Sequence, residues 1–300
     1  MKTRQRAFCI AALLVLLLQP ALAQKASSVS WTPASLASGS PCLFSVEAPY
    51  ASAVFGQWQG HTLSFFRARN SAAWYALAGV DVVVKPGSYP LTIEITGSSG
   101  ATQTLHRDVS LAEAPYKEVP LTVPDKFVEP SAAALKIIAA DKLVKDKVFA
   151  QTATRPTWSG RFTPPLRVAP STDSFGTRRV FNGTLASIHR GLDYRAKPGT
   201  PVAAVNSGRI VLARPLYYEG NCVIVDHGLG LMTLYMHLSK LKVAEGARVR
   251  RGQIIALSGA TGRATGPHLH LGLRWQGAYL DPAILFTLNL PAPTQSRPQR

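Results

Sequence analysis

The sequence predicts an all-β chain in which an N-terminal and a C-terminal β domain are joined by a short connector that contains a helix. Short runs of β-branched and aromatic residues recur across residues 25–118 and again from residue 175 onward. Clusters of Gly, Pro and Ser separate these runs, as turns separate strands. Between the two β-rich parts, helix-forming composition is concentrated in residues 132–149.

The first 23 residues have the features of a signal peptide. Met1–Arg6 is basic, Phe8–Leu18 is an apolar run that is short for a membrane span, and Ala21-Leu22-Ala23 matches an A-x-A cleavage site. We therefore expect residues 1–23 to be removed and the mature chain to work in the periplasm or bound to the cell envelope. The alternative is a retained membrane anchor. No later stretch is long and apolar enough to predict a membrane span.

The chain is strongly basic, with 33 Lys and Arg against 16 Asp and Glu and a formal net charge of +17. Loss of Lys2, Arg4 and Arg6 with the signal peptide lowers this charge to +14. For an exported protein, such a charge favours acidic cell-envelope polymers or anionic membrane surfaces as partners. The basic residues are scattered and no nucleic-acid-binding motif is present, so nucleic acid is not an expected partner.

Cys42 and Cys222 remain after the signal peptide is removed. An oxidising compartment permits a disulfide, but we favour two buried thiols because the two residues fall in different predicted domains. Neither cysteine has a CxxC context, which argues against zinc ligation or redox chemistry by cysteine.

Residues 24–118 are predicted to form an immunoglobulin-like β-sandwich, because short strands alternate with turns at the spacing of that fold. Its predicted strands contain Val29–Trp31, Leu43–Val46, Ala53–Phe55 and Leu91–Ile95. His61 and His106 are isolated and are interpreted as surface or strand residues. Trp58, Trp74 and Tyr75 are assigned to core packing, with a sugar-stacking face as the alternative.

Residues 119–160 are interpreted as a connector. Ser131 is a suitable N-cap for a helix over residues 132–149. The Lys and Asp residues at positions 142–147 are interpreted as a solvated face of this helix.

Residues 161–287 form the predicted second β domain, and residues 288–300, rich in Pro, Gln and Arg, are predicted to be a disordered tail. The predicted strands of this domain contain residues 201–205, 208–213, 221–225, 232–236 and 253–257.

The segment Thr261-Gly262-Arg263-Ala264-Thr265-Gly266-Pro267-His268-Leu269-His270 is the most informative of the chain. If it enters a strand, His268 and His270 project from the same face. Two imidazoles in this arrangement suit zinc, which carboxylate or thiolate ligands usually complete. His189 and Asp193, in His189-Arg190-Gly191-Leu192-Asp193, could supply further ligands. With one histidine of the later pair they make three protein ligands, the number typical of catalytic zinc.

Two more histidines have open roles at this point. His237, in Tyr235-Met236-His237-Leu238, ends an apolar strand and either faces a cleft or is a satisfied strand-end residue. His227, in Asp226-His227-Gly228, is interpreted as part of a hairpin turn rather than of a reactive site.

The ordered set of these motifs, together with Phe175-Gly176-Thr177-Arg178-Arg179, resembles the lysostaphin/LytM-type peptidoglycan endopeptidases, a family of zinc metallopeptidases. The resemblance covers residues 170–282 and includes Gly246–Ile255 and Asp281-Pro282. A softer resemblance links Gly79-Val80-Asp81 and Lys85–Leu91 to the N-terminal domain that accompanies some exported members. The family fold is a compact β structure with its site in a groove across a sheet.

The resemblance implies a role for each motif residue. His189, Asp193 and His270 match the ligands of Zn²⁺, and His237 and His268 match the two histidines that lie beside the metal without binding it. The expected function is hydrolysis of peptide cross-links in peptidoglycan, with the peptide stems as substrate. Zinc lowers the pKa of its bound water toward about 7, and His237 and His268 jointly supply proton transfer and transition-state contacts.

One element of the family pattern is missing. Some members place a Tyr just before the first ligand, where it can stabilise the carbonyl oxygen, but the segment 182–188 has none. Asn182, Arg178 or the metal alone are the alternatives for this task.

Two alternatives to a constitutive hydrolase follow from the same residues. A non-catalytic peptidoglycan-binding regulator or activator would be expected to lose zinc ligands, whereas this chain keeps all the matching residues. A latent enzyme would use the N-terminal domain or the connector to plug the groove. The expected bond is D-Ala–diaminopimelate rather than a pentaglycine bridge, because the chain lacks the wall-anchoring repeats of Gram-positive proteins.

Overall fold

The computed structural model describes residues 27–68, 71–120, 130–158, 160–167, 171–181 and 184–294. The predicted signal peptide, Asn182 and the end of the predicted tail lie outside these ranges. The strands of the N-terminal part are β1 (Ser28–Thr32), β2 (Leu36–Ala37), β3 (Pro41–Glu47), β4 (Ala51–Trp58), β5 (His61–Ser64), β6 (Phe66–Arg67), β7 (Ala73–Gly79), β8 (Gly87–Gly97) and β9 (Thr102–Ala112). They are followed by β10 (Glu118–Pro120) and helix α1 (Ala132–Ala150).

The C-terminal part is also built mainly of strands. These are β11 (Ser171–Asp173), β12 (Arg178–Phe181), β13 (Thr184–Ile188), β14 (Gly191–Arg195), β15 (Pro201–Ala203), β16 (Gly208–Leu216), β17 (Gly220–Gly228), β18 (Leu231–Leu241), β19 (Arg248–Val249), β20 (Ile254–Ser258), β21 (His268–Trp275) and β22 (Ala278–Leu280). A short helix, α2 (Pro282–Thr287), ends this part. The predicted all-β class is confirmed, although α2 was not expected.

The N-terminal part consists of two sheets, with strand orders β1-β3-β7-β6 and β2-β9-β8-β4-β5. Buried side chains of both sheets belong to one apolar cluster. Trp58 is 1% exposed and packs edge-on against Phe44, with ring centroids 5.2 Å apart. Trp74 and Tyr75 are only half-buried but pack against the same cluster, as the core interpretation requires. The finer immunoglobulin-like assignment remains a prediction.

Helix α1 begins where the sequence predicts and ends one residue later. The Ser131 hydroxyl accepts a hydrogen bond from Ala134 N–H, which satisfies one of the free donors at the helix start. The helix is not a solvated tether, because its apolar side packs on the C-terminal sheet. That contact joins Val144, Val148 and Phe149 to Leu212, Leu216, Cys222, Ile224, Met232 and Leu234.

The Lys and Asp run of α1 is therefore only partly solvated, contrary to the prediction. Lys142 and Asp146 form an exposed i,i+4 pair. Lys145 instead turns toward the sheet and forms an ion pair with Glu219, whose side chain is 12% exposed. Asp141 accepts a hydrogen bond from Tyr217 N–H at 2.6 Å, so α1 is fixed to the segment between β16 and β17.

The core is continuous across the predicted boundaries near residues 118 and 160. Leu280 of β22 is fully buried and lies so close to Gly79 of β7 that a Cβ on Gly79 would be 2.4 Å from its methyl carbons. The adjoining backbone is tied as well, because Asp281 N–H donates to Gly39 O at 2.8 Å. Tyr279 N–H donates to the Asp81 carboxylate at 2.7 Å. The two β-rich parts therefore share one core instead of burying separate ones.

The tail prediction is wrong for residues 288–294. Leu288 and Leu290 are 2% and 1% exposed, and Thr294 N–H donates to Arg67 O at 3.0 Å. The Pro and Gln content of this stretch concealed two leucines with i,i+2 spacing, which bury their side chains on one side as a strand would.

Two smaller predictions have opposite outcomes. Cys42 and Cys222 are both free and buried, as expected, and burial raises the pKa of both thiols. His227 is not in a turn but on β17, fully buried. Its Nδ1 donates to Ser207 O and its Nε2 lies 2.8 Å from Thr233 Oγ1, so its role is structural.

Neither described helix combines the length and apolar character that crossing a bilayer requires.

The shared core predicts that both β-rich parts unfold in one cooperative transition. Leu280→Ala should lower the free energy of unfolding by about 2–5 kcal/mol because it leaves a cavity between the two parts. Denaturant unfolding followed by fluorescence and far-UV circular dichroism measures this. Leu143→Ala, at a side chain 68% exposed, is the control and should change stability by less than about 0.5 kcal/mol. Two separate transitions in the wild type would contradict the shared core.

Buried His227 predicts a loss of stability at mildly acidic pH. Burial lowers the pKa of His227 from 6.5 to about 4, so only the unfolded chain binds this proton between those pH values. The stability present above pH 6.5 is therefore lost as pH falls to 4, by about 3 kcal/mol. Unfolding free energies of wild type and His227→Gln across this range test it. The variant should be less stable at pH 7 but show a shallower decline, and equal slopes would rule His227 out as the cause.

Candidate metal centre

Strand pairing brings together residues that are far apart in sequence. In the large sheet, whose order is β11-β14-β21-β18-β17-β16-β19, Asp193 of β14 lies directly opposite His270 of β21. His270 also pairs with Met236 of β18. Leu269 and Leu271, the neighbours of His270, are fully buried. Alternation along β21 therefore sends the leucines into the core and the histidines to the opposite face.

His189 approaches the same face from the turn between β13 and β14. Its backbone is held by the segment Ser174–Thr177, because His189 N–H donates to Thr177 O and Gly176 N–H donates to His189 O, both at 2.8 Å. The ring Nδ1 lies 2.9 Å from Ser174 O. A carbonyl oxygen only accepts, so Nδ1 carries the hydrogen and Nε2 of the neutral ring has the lone pair.

The three predicted ligands converge. Asp193 Oδ1 lies 3.1 Å from His189 Nε2 and 2.8 Å from His270 Nδ1, and the two ring nitrogens are 3.1 Å apart. Two imidazole nitrogens and one carboxylate oxygen are a donor set that zinc favours. Tetrahedral ligands at the usual zinc distances are separated by about 3.3 Å, close to the three observed separations. The residues therefore fit a zinc ion.

The electrostatics of this set keep the carboxylate ionised. Burial raises the pKa of Asp193, but the adjacent His189 and His270 rings outweigh that effect and hold the pKa below its ordinary value. Burial lowers the pKa of His270, opposed by its hydrogen bond to Asp193. An ionised carboxylate beside neutral imidazoles is the protonation state that metal binding requires.

His237 has an unusual backbone conformation. Its φ is 61°, in the left-handed region, which costs a non-glycine residue on the order of 1–3 kcal/mol. Two contacts hold it there: His237 N–H donates to Glu219 O and His237 Nδ1 donates to Thr261 O, both at 2.8 Å. Burial, with smaller effects from His270 and His268, lowers the pKa of His237 to about 3. The ring is therefore neutral at pH 7, with its Nε2 lone pair free to accept a proton.

His268 completes the group at the start of β21. Its Nδ1 donates to Gly266 O at 2.8 Å, and its ring centroid lies 4.7 Å from that of His237. His268 Nε2 is 3.7 Å from Asp193 Oδ1, farther than the nitrogens of the other two histidines. The structure thus brings all five predicted site residues together and separates three convergent donors from two adjacent imidazoles.

Close backbone approaches explain the glycines of the motifs. A Cβ on Gly191 would lie 2.5 Å from both His270 Nε2 and Leu271 O, so a larger residue at position 191 would push the ring away. Gly220 and Gly262 have φ of 63° and 73° and pack against each other, since a Cβ on Gly262 would be 2.3 Å from Gly220 N. This contact fixes the segment whose Thr261 carbonyl orients His237.

Arg179 is the site residue that the sequence did not identify. Its Nη2 lies 3.4 Å from Asp193 Oδ2, the carboxylate oxygen that does not face His189 and His270. Arg178, one of the options for contacting the carbonyl oxygen, has a side chain that is 47% exposed and lies 3.8 Å from Glu118. Adjacent strand residues face opposite ways, and the irregular register of β12 and β13 after Arg179 gives no local sequence signal that this side chain reaches the site. Asn182 lies outside the described residues.

Comparison with known proteins agrees with this geometry. Residues 187–282 match the model of Peptidase family M23. The chain is 46% identical over 119 residues to peptidoglycan DD-endopeptidase ShyA of Vibrio cholerae, covering 39% of this chain and 27% of ShyA. It is 43% identical over 106 residues to DD-carboxypeptidase/endopeptidase Mpg of Neisseria meningitidis, covering 35% and 24%. The chain thus spans about a quarter of the length of these relatives.

A solved structure named as a peptidase M23 from Pseudomonas aeruginosa resembles a larger part of the chain. It superposes with a TM-score of 0.63 at 25% sequence identity, covering 83% of this chain and 94% of that one. The similarity therefore extends beyond the residues matched by the family model, into the N-terminal part.

Arg179 should tighten metal binding by fixing the Asp193 carboxylate. Arg179→Gln is expected to weaken zinc affinity about 10- to 100-fold, the usual effect of losing a residue that orients a ligand. Competition with a chromogenic chelator measures this without any substrate. Arg178→Gln removes the same charge one residue away and should change zinc affinity less than about twofold, because exposed charges interact weakly. Equal losses in both variants would reject the role of Arg179.

Proposed function

We propose that this chain, which contains a domain of Peptidase family M23 at residues 187–282, is an exported zinc metalloendopeptidase that hydrolyses peptide cross-links of peptidoglycan. The observation that supports it most is the convergence of His189, Asp193 and His270 beside two further imidazoles. A regulator without activity would need neither. The names of ShyA and Mpg support peptidoglycan as the substrate.

In this proposal His189 Nε2, Asp193 Oδ1 and His270 Nδ1 would hold the ion. Zinc at such a site polarises a carbonyl oxygen and makes water a nucleophile near neutral pH. Asp193 also contributes negative charge that stabilises neighbouring imidazolium. The three donors lie on strands and a braced turn, so the protein fixes their positions before substrate arrives.

His237 is the proposed general base. Its Nδ1 is committed to Thr261 O, so Nε2 is the atom that accepts a proton from the attacking water. The burial that lowers its pKa to about 3 keeps the ring unprotonated at neutral pH. Once protonated, it lies in a site whose nearest carboxylate, Asp193, stabilises the added charge.

His268 is the second imidazole that we assign to the reaction. Its ring lies 4.7 Å from that of His237, and its side chain is 17% exposed, more than those of His189 and His270. We assign His268 to contact the scissile group, while His237 delivers the proton that it took from water to the leaving amine. An uncharged amine leaves far more readily than an amide anion, so this proton is essential to bond cleavage.

The sequence supports a cellular location for the enzyme, and the relatives support the bond that it cleaves. The signal-like residues 1–23 support export to the periplasm or cell envelope, where peptidoglycan lies. The DD-endopeptidase names of the relatives support D-Ala–diaminopimelate cross-links. The basic charge of the chain suits a substrate rich in carboxylates.

The fold argues against the latent-enzyme alternative, in which the N-terminal domain or the connector plugs the groove. Helix α1 packs on Met232 and Leu234, and the N-terminal part packs on Leu280, so neither is a detachable plug. Removal of residues before Trp158 would expose those side chains and destabilise the enzyme. We therefore propose that the N-terminal part supports the fold of the peptidase.

Digestion of purified peptidoglycan with mass analysis of the released muropeptides tests the proposal. Wild type should convert cross-linked dimers to monomers, and His270→Ala should lose nearly all of this activity through loss of a metal ligand. His106→Ala removes an exposed histidine from β9 and should leave the rate unchanged. Equal activity of wild type and His270→Ala, or no release by metal-loaded wild type, would favour the regulator.

A further inference from the structure

A second cleft lies away from the candidate metal centre and is lined by basic residues. It has a volume of about 1170 Å³ and is bounded by the end of α1, the start of β16 and the β19 region. Four cations line it, Lys147, Arg209, Arg248 and Arg250, and all four are exposed. We call this feature the basic cleft. Its volume is slightly above the roughly 300–1,000 Å³ of typical small-molecule sites, which leaves room for a segment of a larger ligand.

The positive charge of the basic cleft is not neutralised by neighbouring acids. Among its lining residues, only Asp226 is acidic, and this side chain is buried, with its oxygens accepting from Thr152 Oγ1, Ala153 N–H and Gly228 N–H at 2.8 Å. Nearby Glu245 is held by two hydrogen bonds from the Arg214 guanidinium. In the part of the chain that the structure describes, the arginines at 209, 248 and 250 have no ion pair.

Sheet register gives the distance between the two sites. Arg209 pairs with Asp226, Asp226 with Met232, and Met232 with Arg274 of β21, four residues beyond His270. Three strand spacings and four residues along a strand place Arg209 roughly 20 Å from His270. An extended peptide needs about six residues to span that distance. A ligand held in the basic cleft therefore cannot be the group whose bond is cut.

We propose that the basic cleft binds carboxylates of the peptidoglycan polymer at a distance from the scissile bond, which holds the insoluble substrate on the enzyme. This inference rests on the proposed function. Arginine guanidinium groups bind carboxylates through paired, charge-assisted hydrogen bonds, and three free arginines in one concave surface provide several such contacts. Because the two contacts are connected through the polymer, each raises the local concentration of the other. A short soluble fragment cannot engage both sites.

The test compares two triple variants that remove the same charge. The cleft variant is Arg209→Gln/Arg248→Gln/Arg250→Gln. The control variant is Lys85→Gln/Arg107→Gln/Lys136→Gln. These three cations are also exposed and lie in the loop before β8, on β9 and on α1, respectively. Both change the formal net charge from +17 to +14. Circular dichroism and thermal unfolding establish that each variant is folded.

Binding is measured first, as depletion of protein from solution by insoluble peptidoglycan with EDTA present to suppress hydrolysis. The cleft variant should bind about tenfold more weakly than wild type, a size expected for three exposed ion pairs, and the control variant less than twofold. Wild type should also lose affinity for peptidoglycan whose carboxylates have been amidated. This second measurement does not depend on the folding of any variant.

Kinetics give the second readout, with metal-loaded protein. The cleft variant should have a raised KM on insoluble peptidoglycan but an unchanged kcat/KM on a soluble cross-linked muropeptide dimer.

Equal losses for the two triple variants would overturn the proposal in favour of a net-charge effect. Unchanged binding to amidated peptidoglycan, with displacement by polyphosphate, would overturn it in favour of a phosphate-bearing ligand. If wild type fails to cleave the dimer but the binding difference persists, the proposed function fails and the cleft assignment stands.

Discussion

The antiparallel pairing of β14 with β21 is the constraint on which the candidate centre depends. This register places Asp193 opposite His270 and at the same time buries Leu269 and Leu271. A slip of one residue would exchange the two faces, which would expose the leucines and bury the imidazoles. Formation of the apolar core and assembly of the metal ligands are therefore one event, because a single register satisfies both.

The second requirement is a strained position that other parts of the chain maintain. His237 adopts a left-handed backbone only because the Glu219 and Thr261 carbonyls hold it from both sides. The Glu219 side chain also pairs with Lys145 of α1. Helix α1, which the sequence predicts to be part of a connector, therefore supports His237 indirectly, through Glu219.

Local patterns predicted much of this structure. Ser131 was identifiable as a cap from its hydroxyl and the composition that follows, and the spacing of His268 and His270 predicted their common face. What could not be predicted depends on distant contacts. The weak amphipathicity of α1 did not reveal that Val148 packs on the sheet, and nothing local indicated that Leu280 joins two parts in one core. The contact of Arg179 with Asp193 depends on an irregular register that only the partner strand defines.

The hydrogen-bond acceptors of the histidine rings have a consequence for how such a centre tolerates sequence change. Nδ1 of His189, His237 and His268 each donates to a main-chain carbonyl, of Ser174, Thr261 and Gly266. The backbone course of three segments therefore sets the tautomers of these rings. The side chains of Ser174 and Thr261 do not supply the acceptors. Substitution there leaves the acceptor in place provided that the backbone keeps its course. Homologous centres can thus drift in loop sequence while their proton arrangement persists, and alanine scanning of the loops would miss the groups that maintain it.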